Sequence, residues 1–104
     1  MNVTDLRQRI TNSVGEDSGL NAKVKFDLGN NEVIFIDGIS IPNNVHDSDI
    51  DSDITIKIKP ENLTKILDKE LNPKLAIMTG RMKLRGDIKI ALRLDKVFGL
   101  EPSE

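Results

Sequence analysis

Apolar and polar positions alternate through much of the chain. Val24, Phe26 and Leu28 interleave with Lys23, Lys25 and Asp27, the period-2 pattern of a strand with one buried and one wet face. Gly29-Asn30-Asn31 follows, turn chemistry tolerant of positive φ, and then Val33-Ile34-Phe35-Ile36, which is β-branched and aromatic. Together they predict a hairpin whose second strand ends at Asp37-Gly38. Ile54, Ile56 and Ile58 alternate with Thr55, Lys57 and Lys59 and predict a third strand. Met82 and Leu84, set between Arg81, Lys83 and Arg85, predict a short fourth that Gly86 turns.

Helical spacing occupies the remaining apolar positions. Leu6, Ile10 and Val14 define a thin stripe, with Thr4 as the expected N-cap and Gly15 as the stop. Pro60 suits the first position of a second helix, where its missing N–H has no intrahelical partner anyway, and Glu61 suits the positive end of the dipole. Leu63, Ile66, Leu67 and Leu71 then fall on one face, until Asn72-Pro73 breaks the helix. A short apolar stretch, Leu75 to Met78, runs to Thr79-Gly80. Asp87 is placed to cap a last helix whose face is Ile90, Ala91, Leu94, Val97 and Phe98, widened by Ile88 and Leu92. Gly99 is its expected C-terminal glycine. Residues 40–53 form a polar interlude with Pro42, Asn43, Asn44 and four alternating aspartates. The order is helix, three strands, helix, strand, helix. It predicts an α+β fold with a largely antiparallel sheet covered on one face.

A length of 104 residues is that of one domain, 1–104. With only three aromatic residues, all Phe, the core is chiefly aliphatic. A formal charge of −2, and no Trp or Tyr to stack on bases, argue against a nucleic-acid surface. The absence of cysteine removes disulfides, thiolate metal sites and Cys nucleophiles. No apolar run has the length of a signal peptide or a membrane span, so the expected location is the cytoplasm.

Catalytic chemistry finds little support. His46, the single histidine, sits in the polar interlude beside Asp47 and reads as a solvated loop residue. Asp47, Asp49, Asp51 and Asp53 suggest calcium, but an EF-hand loop beginning at Asp47 needs Gly at its sixth position and Glu at its twelfth. Those positions are Ser52 and Ile58, so no metal is expected. The alternating acids read as the wet face of a strand entry. Asn2-Val3-Thr4 and Asn62-Leu63-Thr64 fit the N-glycosylation pattern but have no signal peptide beside them. Arg81, Lys83, Arg85, Lys89, Arg93 and Lys96 are the one local excess of positive charge. Such a cluster suits either solvent-facing positions or transient contact with anionic lipid headgroups. Met78 and Met82 are flexible and polarizable, suited to an irregular apolar wall as much as to core filling.

From Phe26 to Gly99 the chain resembles the sterol carrier protein 2 family. The resemblance rests on Val33-Ile34-Phe35-Ile36-Asp37-Gly38 and Asp53-Ile54-Thr55-Ile56, then Glu70-Leu71-Asn72-Pro73 and Ala76-Ile77-Met78-Thr79-Gly80. Lys83-Leu84-Arg85-Gly86-Asp87 and Lys96-Val97-Phe98-Gly99 complete it, in family-like order and spacing. The resemblance implies helices over a curved sheet enclosing an apolar tunnel for sterols, fatty acids, fatty acyl-CoAs or other lipids. With conventional catalytic constellations missing, no cofactor and no catalytic residue are expected. By analogy the inward, tunnel-lining residues are Phe26, Ile34, Ile36, Ile56, Leu63, Ile66, Leu67, Ile77, Met78, Met82, Ile90, Leu94 and Phe98. Several family members continue past the lysine-hydrophobic-phenylalanine motif, whereas this chain ends five residues after Gly99. The tunnel is therefore expected to be more open, smaller, or completed by a second subunit.

Two functions follow as expectations. The first is non-catalytic binding or transfer of a lipid by a monomer or homodimer. The second is an interaction module with a filled core that dimerises through its last helix, around Ile88 and Leu92.

Overall fold

The computed structural model describes residues 3–100. Helix α1 (Val3–Val14) precedes strands β1 (Lys23–Gly29), β2 (Glu32–Asp37), β3 (Asn44–His46) and β4 (Ile54–Ile58). Helices α2 (Pro60–Leu67) and α3 (Pro73–Met78) follow, then β5 (Met82–Gly86) and α4 (Lys89–Val97). The class is α+β, with one five-stranded sheet in the order β3-β2-β1-β4-β5. β1 and β4 run parallel; the other neighbouring pairs are antiparallel.

The parallel pair explains the polar interlude. Parallel strands require a crossover, and here the chain must return from the β3 edge to the far side of β1. Residues 47–53 make that crossing over the face that carries Lys25 and Thr55. Lys25 Nζ donates to Asp49 Oδ1 at 2.9 Å and to the Ile50 carbonyl at 3.0 Å. Ser52 Oγ lies 3.2 Å from Thr55 Oγ1. Asp53 then clamps β1: its N–H donates to the Lys23 carbonyl at 2.9 Å, and its Oδ2 accepts from the Lys23 N–H at 2.8 Å.

The opposite face of the sheet is the core. Register aligns Leu84, Ile56, Phe26 and Ile34 in one row across β5, β4, β1 and β2. Ile54, Val24, Ile36 and Val45 make the next row. Leu6, Ile10 and Val14 of α1, Leu63 and Ile66 of α2, Ala76 of α3, and Ile90 and Leu94 of α4 are buried with this sheet face in one cluster. Among the described residues no polar or charged residue is buried.

Several sequence-based expectations need correction. Thr4 lies inside α1 rather than capping it. The interlude contains β3, which pairs with β2 through Phe35–His46, Ile36–Val45 and Asp37–Asn44. His46 is accordingly a half-buried strand residue whose ring stacks on Phe35 at 4.8 Å and 13°. That stack helps to bury Phe35 completely, although it points away from the main core. The aspartates are not one strand face: Asp47 pairs with Arg7 at 3.4 Å and Asp49 with Lys25 at 2.9 Å. Leu71 is buried but follows α2, which ends at Leu67. The stretch before Thr79 is helix α3, because the Asn72 side chain accepts from the Lys74 N–H at 2.8 Å and Pro73 starts the turn.

Asp37 holds the exit from β2. Its Oδ1 accepts from the N–H groups of Ile39 and Ser40 at 3.0 and 3.2 Å, and its Oδ2 from Ser40 Oγ at 3.1 Å. The Ser40 N–H leads in holding the carboxyl below its ordinary value, helped by the Ile39 N–H, the Ser40 hydroxyl and the Lys23 charge, against a smaller desolvation effect. A carboxyl depressed on folding contributes stability above its unfolded pKa, near 4, and loses that contribution as pH falls through the folded value. Urea unfolding below about pH 4 is therefore expected to show a declining stability, with a shallower decline in Asp37→Asn.

Candidate functional site: an apolar cavity under the last helix

Between the core face of the sheet and α4 lies a cavity of about 40 Å³. Its floor is Phe26, Ile56, Leu84 and Met82, which strand alternation and register bring to one face. Leu63 and Ile66 of α2 form one wall and Pro73 opens α3 at another. Ala91, Leu94 and Asp95 of α4, with Phe98 and Leu100, form the roof. Phe98 meets Phe26 with ring centroids 6.4 Å apart and planes tilted by 44°, within the range of favourable aromatic pairs.

The roof is set by α4 and its caps. Asp87 Oδ1 accepts from the Lys89 N–H at 3.1 Å, tightening the turn into the helix. At the far end Gly99, at φ +67°, lets the Leu100 N–H reach the Asp95 carbonyl at 2.7 Å. That turn brings Leu100 back to the cavity wall. Arg93 Nη1 also donates to the Leu20 carbonyl at 3.1 Å, tying α4 to the segment before β1.

Seven expected site residues border this cavity: Phe26, Ile56, Leu63, Ile66, Met82, Leu94 and Phe98. Ile34, Ile36 and Ile90 are buried in the adjoining core, and Leu67 packs half-buried against it. Ile77 and Met78 do not face inward: they are 44% and 81% exposed, because the helical phase of α3 turns Ala76 inward instead. Pro73, Leu84, Ala91, Asp95 and Leu100 were missed as lining residues. Leu84 shares the period-2 phase of Met82, and Ala91 lies on the apolar helix face, so both carried a signal. Asp95 and Leu100 carried none.

Ligand pockets for small molecules run to roughly 300–1,000 Å³, whereas 40 Å³ holds about one water. The described conformation is thus a nearly closed core with a defect in it, rather than an open tunnel. A larger concavity of about 760 Å³ lies at the end of the sheet, but charged and amide side chains line much of it. His46 sits on the β3 edge, its ring stacked on Phe35 rather than near the small cavity. Among the described residues no group of three or more His, Asp or Glu could hold a metal ion. No described helix is long and apolar enough to cross a membrane.

Helices cover one face of a five-stranded sheet, with a small, mainly apolar gap between the layers. Residues 5–99 match the model of the SCP-2 sterol transfer family, and the chain belongs to that family. Its fold is similar to the solution structure of the sterol carrier protein domain 2 of Helicoverpa armigera. That match has 19% identity and a TM-score of 0.75, over 98% of this chain and 92% of that one. It is also similar to palmitated SCP2L2 from Aedes aegypti, at 22% identity and TM-score 0.72, over 94% of this chain and 95% of that one. Among curated proteins, stomatin-like protein 1 of Mus musculus is 35% identical over 46 residues. Those residues are 44% of this chain and only 12% of that protein.

Proposed function

We propose that this chain binds one flexible, single-tailed lipid, a fatty acid or fatty acyl-CoA, between its sheet and α4, and carries it without chemical change. The observation that carries this reading is the cavity itself, ringed by aliphatic and aromatic side chains with Asp95 the one charged residue among them. An acyl chain can enter such a gap one methylene at a time as the roof gives way, each buried methylene contributing roughly 0.8 kcal/mol. A rigid sterol requires its whole volume at once, so the flexible tail is the better match. The palmitated state of the Aedes aegypti relative supports the same direction.

Native mass spectrometry of the purified protein, with organic extraction of bound material, is the direct test. One acyl lipid per chain, or saturable uptake of a fluorescent fatty acid, is the expected result. An empty protein that also takes up no fatty acid overturns the reading. A second reading, dimerisation through α4, draws on Ile88 and Leu92, which are 61% and 66% exposed on its outer side. Sedimentation of wild type and Leu92→Asp separates the two, since only the dimer reading expects a change of mass.

A further inference from the structure

The larger concavity shares no lining residue with the apolar cavity. It is lined by the ends of β1, β4 and β5 and by the first turn of α2, and it gathers Lys57, Lys59, Arg81 and Lys83 against Asp27 and Glu61. Four cations against two carboxylates leave a local excess of positive charge in a chain whose formal charge is −2. Lys57 and Lys83 are register partners on antiparallel strands, and like charges in that position repel. The described ion pairs engage Arg7, Arg9 and Lys25 instead. Asp27, beside Lys57 in the parallel register, turns its Oδ1 to the Gly29 N–H at 3.0 Å. Asn30 and Asn62 add amide groups to the wall, and α2 starts with no side-chain cap on its first turn.

We propose that this groove binds a phosphate-bearing small molecule or head group, with Lys57 and Lys83 as its principal contacts and Lys59 and Arg81 at its sides. A doubly charged phosphate between Lys57 and Lys83 converts their repulsion into two charge-assisted contacts. The volume of about 760 Å³ is that of a small-molecule site rather than a flat surface contact. With no aromatic side chain among the lining residues, stacked nucleic-acid bases find no platform. Lys57 and Lys83 lie on the sheet face opposite the apolar cavity. The groove is therefore a second site, independent of whether the cavity takes up an acyl chain.

The test is an amide-resolved NMR titration of the full chain with inorganic pyrophosphate, with monomeric dihexanoyl phosphatidate, and with sodium chloride at matched ionic strength. Saturable shifts at the amides of residues 57–59, 61–62 and 80–83 with either phosphate compound, and none with chloride, are expected. Tighter binding of phosphatidate identifies a lipid head group as the source; equal or tighter binding of pyrophosphate identifies free phosphate compounds. Lys57→Gln combined with Lys83→Gln is expected to weaken binding roughly tenfold or more with the fold unchanged. Glu61→Gln removes an opposing charge and is expected to tighten it several-fold, a gain that misfolding does not produce. The proposal is overturned if neither phosphate compound gives saturable shifts, or if the double variant binds as tightly as the wild type.

Discussion

Gly86→Ala is expected to destabilise the fold by about 2–4 kcal/mol, lowering Tm by roughly 10–30 °C for a chain of this size. Gly86 closes β5 at φ +118°, a conformation that L side chains rarely adopt. A Cβ built there falls 2.4 Å from the Asp53 carbonyl oxygen and 3.0 Å from the Ile54 Cα. Both obstacles are backbone, so no side chain can swing away to relieve them. The Asp53 carbonyl also accepts from the Asp87 N–H at 3.1 Å, and the Asp53 carboxylate holds the start of β1 through the Lys23 N–H at 2.8 Å. Relief of the clash therefore pulls on the β4–β5 end, the entry to α4 and the edge of β1 together. Gly80→Ala is the matched control. Gly80 has φ +75° but nothing within 4 Å of an added Cβ, so only the left-handed backbone cost of about 1–2 kcal/mol applies. Thermal unfolding of the two variants separates steric closure from conformational preference. Equal losses would show that Gly86 is required for its φ alone.

The contrast shows which features the chain states locally. The rows through Val24–Phe26 and Ile54–Ile58 were legible because those strands bury one face only, so their phase is written in alternate letters. The last helix was legible for the same reason at helical period. β3 was not: it holds one apolar residue, Val45, and exists because the free edge of β2 offers hydrogen bonds to it. Six residues are too few for α3 to display a period, and Asn72-Pro73 reads as the end of one helix while also beginning the next. Ile77 and Met78, inward by the family analogy, face out because the helical phase of α3 turns Ala76 inward. The pairing of Lys57 with Lys83 is invisible to any local window, since register alone brings β4 beside β5. The cavity was hardest to read. The same aliphatic letters fill a core or leave a gap in it, and only the packing of α4 over the sheet decides.

Ala91→Phe is expected to abolish most fatty-acid uptake at a stability cost of about 1–3 kcal/mol. Ala91 is the smallest side chain that α4 contributes to the roof, and it is half-buried, so a ring there fills the gap of about 40 Å³ and presses the roof outward. Filling the gap removes space that a ligand tail needs as the roof opens. A phenyl ring displacing about four methylenes forfeits roughly 3 kcal/mol, about a hundredfold in affinity. Leu92→Phe makes a similar change one residue along, on the outer side of the helix where Leu92 is 66% exposed, and is expected to leave uptake intact. Titration with a fluorescent fatty acid, beside thermal unfolding of each variant, reads both quantities. If Ala91→Phe binds like the wild type, the tail does not pass under α4, and carriage has to be sought elsewhere on the molecule. If both variants lose uptake, the outer face of α4 takes part, and entry of the lipid rather than its final seat becomes the step that these residues control.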